Sequence, residues 1–209
     1  SNTDKLNLFY EELKRLKIEI RPPNINKSFA EFLPRGKKIY YALSAIKAVG
    51  YEAIANVINE REKNGEFKSI SDLLSRVESS DLNKLQLEGL IKSGSLDVLD
   101  NNRKKLFEKV PEFIKQSKSS DKSANDTQEM LFEESNNVIN FDNKSNNVED
   151  WDKSEKIKKE FESIGFFVSE HPLKSNLKIL DQYKVISYQE LKNNENTNES
   201  MIAGTLISI

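Results

Sequence analysis

Apolar residues recur at helical spacing through most of this chain, and each place where the spacing breaks marks a boundary. Between Asp4 and Leu16, the positions of Leu6, Phe9, Leu13 and Leu16 predict one helical face. The helix stops before "IEIRPPNIN", where Pro22 and Pro23 remove donors and force extended backbone, so Ile18, Ile20 and Ile25 are expected in a strand or an extended segment laid on a core. "KKIYYALSAIKAVG", Lys37 to Gly50, puts Ile39, Ala42, Leu43 and Ile46 on one helical face and ends at a glycine. A second helix, Tyr51 to about Lys63, turns Ala53, Ile54, Val57 and Ile58 inward and gives way to the turn "NGEF". Ser69 with Asp72 three residues on predicts a capped helix through Leu73, Leu74 and Val77. Asp81 to Leu99 reads as a helix carrying Leu82, Leu85, Leu87, Leu90 and Ile91, with a hairpin at Ser93-Gly94-Ser95, and a last helix of this group runs from about Asn102 to Lys115.

From Ser117 to Asp150 the pattern fails. Ser, Asn, Asp and Lys dominate, and the apolar islands at Met130–Phe132 and Val138–Phe141 are too small to offset the entropy of ordering, so a flexible linker is expected. Periodicity resumes with Asp152 as N-cap, Glu155 at the third helical position, Ile157, Phe161 and Ile164 on one face, and Gly165 as the stop. "MIAGTLISI", Met201 to Ile209, reads as a β-strand with nothing after it to pair with, which predicts that the chain stops inside a further, β-rich domain.

Composition narrows the chemistry. The 209 residues are 36% apolar and 32% charged with a formal net charge of -2, so no basic excess announces nucleic acid. The lack of cysteine rules out disulfides and thiolate zinc sites and fits a reducing, cytoplasmic location. The single histidine, His171, leaves little for imidazole chemistry and is expected in a turn or a core. No apolar run reaches the roughly 18 residues of a membrane span, so no membrane partner is expected. "EDWD" at Glu149–Asp152 contains an Asp-x-Asp pair, but Asp152 is better explained as a helix cap than as a metal ligand.

"LSAIKAVGYEAIANVI", Leu43 to Ile58, has the layout of a helix-hairpin-helix. Gly50 would let a phosphate approach the backbone, Val49 would pin the turn, and the free N–H groups at the start of the second helix would donate to a phosphate oxygen at the favourable end of the helix dipole. Lys47, Val49, Gly50 and Tyr51 are therefore candidate contacts to nucleic-acid backbone, and Lys84, Lys92 and Gly94 are the counterparts at a more degenerate second hairpin. Ala48 would be strained at a positive φ, and Glu52 places a negative charge in the first turn. An ordinary helical hairpin with Gly50 as C-cap would show the same pattern.

"NDTQEMLFEES" is the other candidate site. A linear motif in a polar linker could anchor through the Gln128 amide while Leu131 and Phe132 fill a partner's cleft and Met130 packs beside them. Burying three such side chains yields about 5 to 8 kcal/mol gross, and ordering the segment takes back about 2 to 5 kcal/mol. Such a contact is weak unless the rest of an assembly supplies effective concentration. Alternatively, the same island folds back onto the helical body.

In this order the pieces resemble the bacterial DNA polymerase III alpha-subunit family, the C-family replicative polymerases. "EELKRLKIEIRPPNIN" is similar to the end of that family's fingers region, and "IYYALSAIKAVGYEAI" and "LNKLQLEGLIKSGSLDVL" to its helix-hairpin-helix region. "QEMLF" is similar to its internal clamp-binding pentapeptide, and "FESIGFFVSEHPL" with "MIAGTLISI" to the approach to, and first strand of, its OB domain. Ala48 and Glu170 stand where the family usually has glycine. The resemblance implies a mainly α fold in five parts: the end of the fingers at 1–36, a tandem helix-hairpin-helix domain at 37–116, a linker with the clamp peptide at 117–150, a helical connector at 151–192 and an incomplete OB start at 193–209. It implies DNA-directed DNA polymerase activity for the parent, with Mg2+ held upstream and neither catalytic residues nor cofactor in this segment. The implied partners are double-stranded DNA, the sliding clamp through Gln128, Met130, Leu131 and Phe132, and other replicase subunits. Two rival readings use the same features: a clamp-associated ligase or nuclease, and a helical scaffold that recruits an unrelated protein.

Overall fold

This computed structural model describes residues 8–9, 12–13, 15–123, 148–186, 188–193 and 199–204. The chain divides into two compact units, 1–169 and 170–209.

In the first unit Leu8, Phe9, Glu12, Leu13 and Arg15 are helical, as their spacing predicts. Three short strands follow: β1 (Glu19–Arg21), β2 (Pro34–Arg35) and β3 (Lys38–Tyr40), in the order β1-β3-β2. β1 runs parallel to β3 with Ile20 opposite Ile39, and β2 runs antiparallel to it with Arg35 opposite Lys38. The link between β2 and β3 is the two-residue loop Gly36-Lys37, with Gly36 at φ 61, the positive value such loops require.

This corrects the helix expected over Lys37–Gly50, which is a strand followed by a 3-10 turn at Leu43–Ala45. Distant partners take the backbone groups that a helix would have bonded internally. Tyr41 N donates to Arg21 O at 3.0 Å and Leu43 N to Phe29 O at 2.9 Å.

Five helices complete this unit among the described residues: α1 (Tyr51–Asn64), α2 (Ile70–Arg76), α3 (Lys84–Lys92), α4 (Arg103–Ser123) and α5 (Lys153–Ile164). Ser69 caps α2 by accepting from Asp72 N at 3.1 Å. α3 is shorter than the expected Asp81–Leu99 helix. It starts at a reciprocal capping box, Asn83 with Gln86, and gives way after Lys92 to turns in which Gly94 has φ 78. α4 passes through Pro111 and reaches Ser123, so the first residues assigned to the linker are helical. At α5, Asp152 accepts from Glu155 N at 2.8 Å and Gly165 ends the helix at φ 79, both as the sequence predicts.

One apolar core joins the faces of these helices, with Ile25, Leu43, Ile46, Ile54, Val57, Leu87, Leu90 and Val110 almost fully removed from water. The "PPNINKS" segment, which turns at residues 25–27 rather than staying extended through Ile25, is fastened to it by satisfied polar groups. Asn26 exchanges two hydrogen bonds with the Phe67 backbone, at 2.8 and 2.9 Å. The buried Arg61 guanidinium donates to Ile25 O and Ser28 O, both at 2.7 Å, beside the Phe29 ring. After α5, buried Glu160 accepts from Val168 N and Ser169 N at 3.0 and 2.9 Å and fixes the path of "FFVS".

The second unit contains a 3-10 turn at Pro172–Asn176, α6 (Leu177–Gln182) and α7 (Tyr188–Asn193). His171 caps the turn, its Nδ1 accepting from Leu173 N at 3.2 Å. Ile186 N donates to Met201 O, but residues 201–204 form no strand, and the remainder of the strand expected over Met201–Ile209 lies outside the described residues. Among the described residues no helix is long and apolar enough to cross a membrane.

Candidate nucleic-acid interface

The first hairpin is a tight turn. Val49 N donates to Ile46 O at 3.1 Å, and Ala48 sits between them at φ 66. An L-residue there costs about 1–2 kcal/mol. Three contacts hold the turn in place despite that cost. Lys47 N donates to Ser163 O of α5 at 2.8 Å, and Val49 is buried in the core. On the side of α3, Gly89 lies so close that a Cβ on it would stand 2.8 Å from Lys47 O.

The outer side of the turn is open. Gly50 is the N-cap of α1 in extended conformation, and it offers no side chain to the first turn of the helix. Ile54 N donates to Gly50 O, whereas the N–H groups of Tyr51, Glu52 and Ala53 meet no acceptor among the described residues. Lys47, Gly50 and Tyr51 are exposed, and Lys47 makes no ion pair among the described residues. Four of the expected contacts are thus brought together around one helix N-terminus, with Val49 holding it from inside.

The second hairpin is closed. Gly94 N donates to Ile91 O and Ser95 N to Leu90 O, while the Ser93 and Ser95 hydroxyls both bond Leu90 O. Gly94 is buried under the Arg103 guanidinium, so near that a Cβ would stand 2.0 Å from Nη2, and Arg103 in turn grips Asp97 through two bonds of 2.8 and 2.7 Å. Lys84 is exposed and pairs with Glu88 at 3.8 Å. Lys92 lies over the Phe107 ring and 3.9 Å from Glu162, directed at α5.

The helix that follows the second hairpin is also capped by the protein's own groups. Lys105 N donates to Asn102 Oδ1 at 2.9 Å and Lys104 N to Asp150 Oδ1 at 3.1 Å. Asn102 Nδ2 donates to Val148 O at 2.7 Å, and Trp151 packs on Phe107 with ring centroids 5.5 Å apart. Burial opposes ionisation of Asp150, but its pairing with Lys156 and the N–H groups of Lys104 and Trp151 outweigh burial and hold the carboxyl below the ordinary aspartate value.

Comparison with known proteins covers the same ground. Residues 17–106, from just before β1 into α4, match the family described as the helix-hairpin-helix motif. The DNA polymerase III subunit alpha of Borreliella burgdorferi is 36% identical over 189 residues, 90% of this chain and 16% of that protein. Those of Campylobacter jejuni and of Buchnera aphidicola subsp. Schizaphis graminum are 34% and 35% identical over 93% and 100% of this chain. The chain belongs to the DNA polymerase III alpha-subunit family. It spans about a sixth of the length of these relatives.

Within the alpha-subunit family the site divides between what the structure places and what it leaves out. Gln128, Met130, Leu131 and Phe132, the residues expected to meet a clamp, lie outside the described residues. In the Asp-x-Asp pair, Asp150 caps α4 and pairs with Lys156, and Asp152 caps α5 through Oδ1, so each carboxylate has a structural role. Sequence reasoning missed Gln86, Gly89, Arg103 and Asp150. Only Gln86 left a local signal, as the third helical residue after the Asn83 cap; Gly89 and Asp150 act on segments distant in the chain, and Arg103 reaches back over the turn to Asp97 and Gly94.

Proposed function

We propose that this chain is the part of a replicative polymerase alpha subunit that holds duplex DNA by its backbone at the first hairpin. The segment Gln128–Phe132 ties the same polymerase to its sliding clamp, so that the parent's template-directed synthesis is processive. The observation that carries the DNA contact is the open N-terminus of α1, with three N–H groups that meet no acceptor among the described residues, beside exposed Lys47 and the side-chain-free Gly50. Such a site grips phosphate and reads no base. The closed second hairpin serves as support: it fixes α3, whose Gly89 and Gln86 lie against the first hairpin.

Anisotropy of a labelled duplex titrated with the chain tests the DNA contact. Affinity should fall with salt, and Lys47→Ala should weaken binding to all sequences alike while reducing the salt slope by about 1. A variant whose affinity and slope equal the parent's would remove the first hairpin from the interface. Titration against a purified clamp tests the tether: the triple change Gln128→Ala, Leu131→Ala and Phe132→Ala should abolish binding, and unchanged affinity would rule the tether out.

A further inference from the structure

Beside the first hairpin stands a polar group, the Gln86 Nε2 amino group, that finds no acceptor among the described residues. Gln86 is 7% exposed and lies in the first turn of α3. Its Oε1 is committed to the capping box, accepting from Asn83 N at 2.8 Å. That bond fixes the orientation of the carboxamide, and the Nε2 amino group on its other side donates to no acceptor among the described residues. A buried amide donor without a partner is a costly feature that calls for a reason.

Its position supplies one. Nε2 is 3.8 Å from the point at which a Cβ on Gly50 would stand. Gly50 is the N-cap of α1, and an N-cap side chain normally leaves from that point to satisfy the leading N–H groups of its helix. Glycine keeps this position vacant, so the space in front of the unpartnered Tyr51, Glu52 and Ala53 N–H groups is bordered by a rigidly held side-chain donor from another helix. An anion there would receive bonds from both.

We propose that the Gln86 carboxamide is a direct ligand of the DNA phosphate held at the first hairpin, an oriented neutral donor supplied by α3 to the N-terminus of α1. This inference rests on the reading of that hairpin as a backbone-binding site and adds a residue outside the hairpin to it. It also gives the α3 capping box a second purpose. The box locks the acceptor end of the amide so that only its donor end meets the ligand. Phosphodiester oxygens, which only accept, match such a donor without any base specificity.

The test compares three proteins in duplex titrations: the parent, Gln86→Glu and Gly50→Asp. Gln86→Glu keeps the acceptor for Asn83 N–H but replaces the donor with a negative oxygen. It should weaken duplex binding by about tenfold or more, the scale of a lost hydrogen bond to a charged group. Gly50→Asp puts a capping carboxylate into the anion position, so it should stabilise the fold while abolishing binding. If Gly50→Asp loses binding and Gln86→Glu does not, the role of Gln86 is overturned and the hairpin reading stands. If neither loses binding, both are overturned. A second measurement is independent of folding in any variant: in the parent, the Gln86 side-chain amide resonances should shift with the Tyr51–Ala53 backbone amides as duplex is added. Resonances of Gln86 that stay still while those amides move would overturn the proposal.

Discussion

At the first hairpin, the leading N–H groups of α1 meet no acceptor among the described residues. At the second, two of the leading groups of α4 are taken by Asn102 and by Asp150, which lies 46 residues away. Both sites offer the same partial positive charge at a helix start. What differs is the supply of side-chain acceptors: Gly50 has none, whereas Asn102 and the returning Val148–Trp151 segment bring two. The Asp150 carboxylate occupies at α4 the position that a phosphate would take at α1. A helix start becomes a ligand site when the fold leaves it open, and becomes a structural joint when the fold fills it.

The largest effect should come from removing the support of the open hairpin. Gly89→Ala would place a Cβ 2.8 Å from Lys47 O and 3.4 Å from Val49 Cγ2, and a backbone carbonyl already in a strained turn has nowhere to retreat. Urea unfolding should show a loss of about 3 kcal/mol, at the upper end of overpacking costs. Duplex affinity should fall with it, because α3 and the turn move apart. A loss below about 0.5 kcal/mol would mean that the two elements are not held in this register.

The filled hairpin should break more gently and in a pH-dependent way. Asp150→Ala removes the acceptor of Lys104 N–H and the partner of Lys156 and should cost about 2 kcal/mol at neutral pH. The Asp150 carboxyl is held below its ordinary value. Its contribution is therefore complete above the unfolded-state value of about 3.9 and is lost as pH falls through the lower, folded one. Stability curves of the parent and of Asp150→Ala should differ at neutral pH and converge in acid. Curves that stay parallel into acid would show that Asp150 does not act through its charge.

The contrast between the hairpins was only half legible from the residues. Local rules placed the Ser69 and Asp152 caps, the Gly165 stop and the open Gly50 turn, because each depends on neighbours within a few positions. The strand at Lys38–Tyr40 has the spacing of a helix because Ile39, Ala42, Leu43 and Ile46 do fit a helical face; its true partners, Glu19–Arg21 and Pro34–Arg35, are fixed by tertiary pairing that no local spacing reveals. The same limit hid the closure of the second hairpin. Lys92 and Gly94 look available in sequence, but Glu162 and Phe107 take the first and Arg103 covers the second.

The smallest effect belongs to Ala48 itself. At φ 66 its methyl group costs about 1–2 kcal/mol, and glycine would relieve this while adding about 0.5–1 kcal/mol of unfolded-state freedom. Ala48→Gly should therefore stabilise the chain by roughly half a kcal/mol to one, read as a small rise in the urea midpoint. Because the turn is already held by Ser163 O, Val49 and α3, its shape should not change, and duplex affinity should stay within about twofold. Were affinity instead to rise strongly, the strained alanine would be restraining the site, and the open hairpin would be less prepared for its ligand than its vacant N–H groups imply.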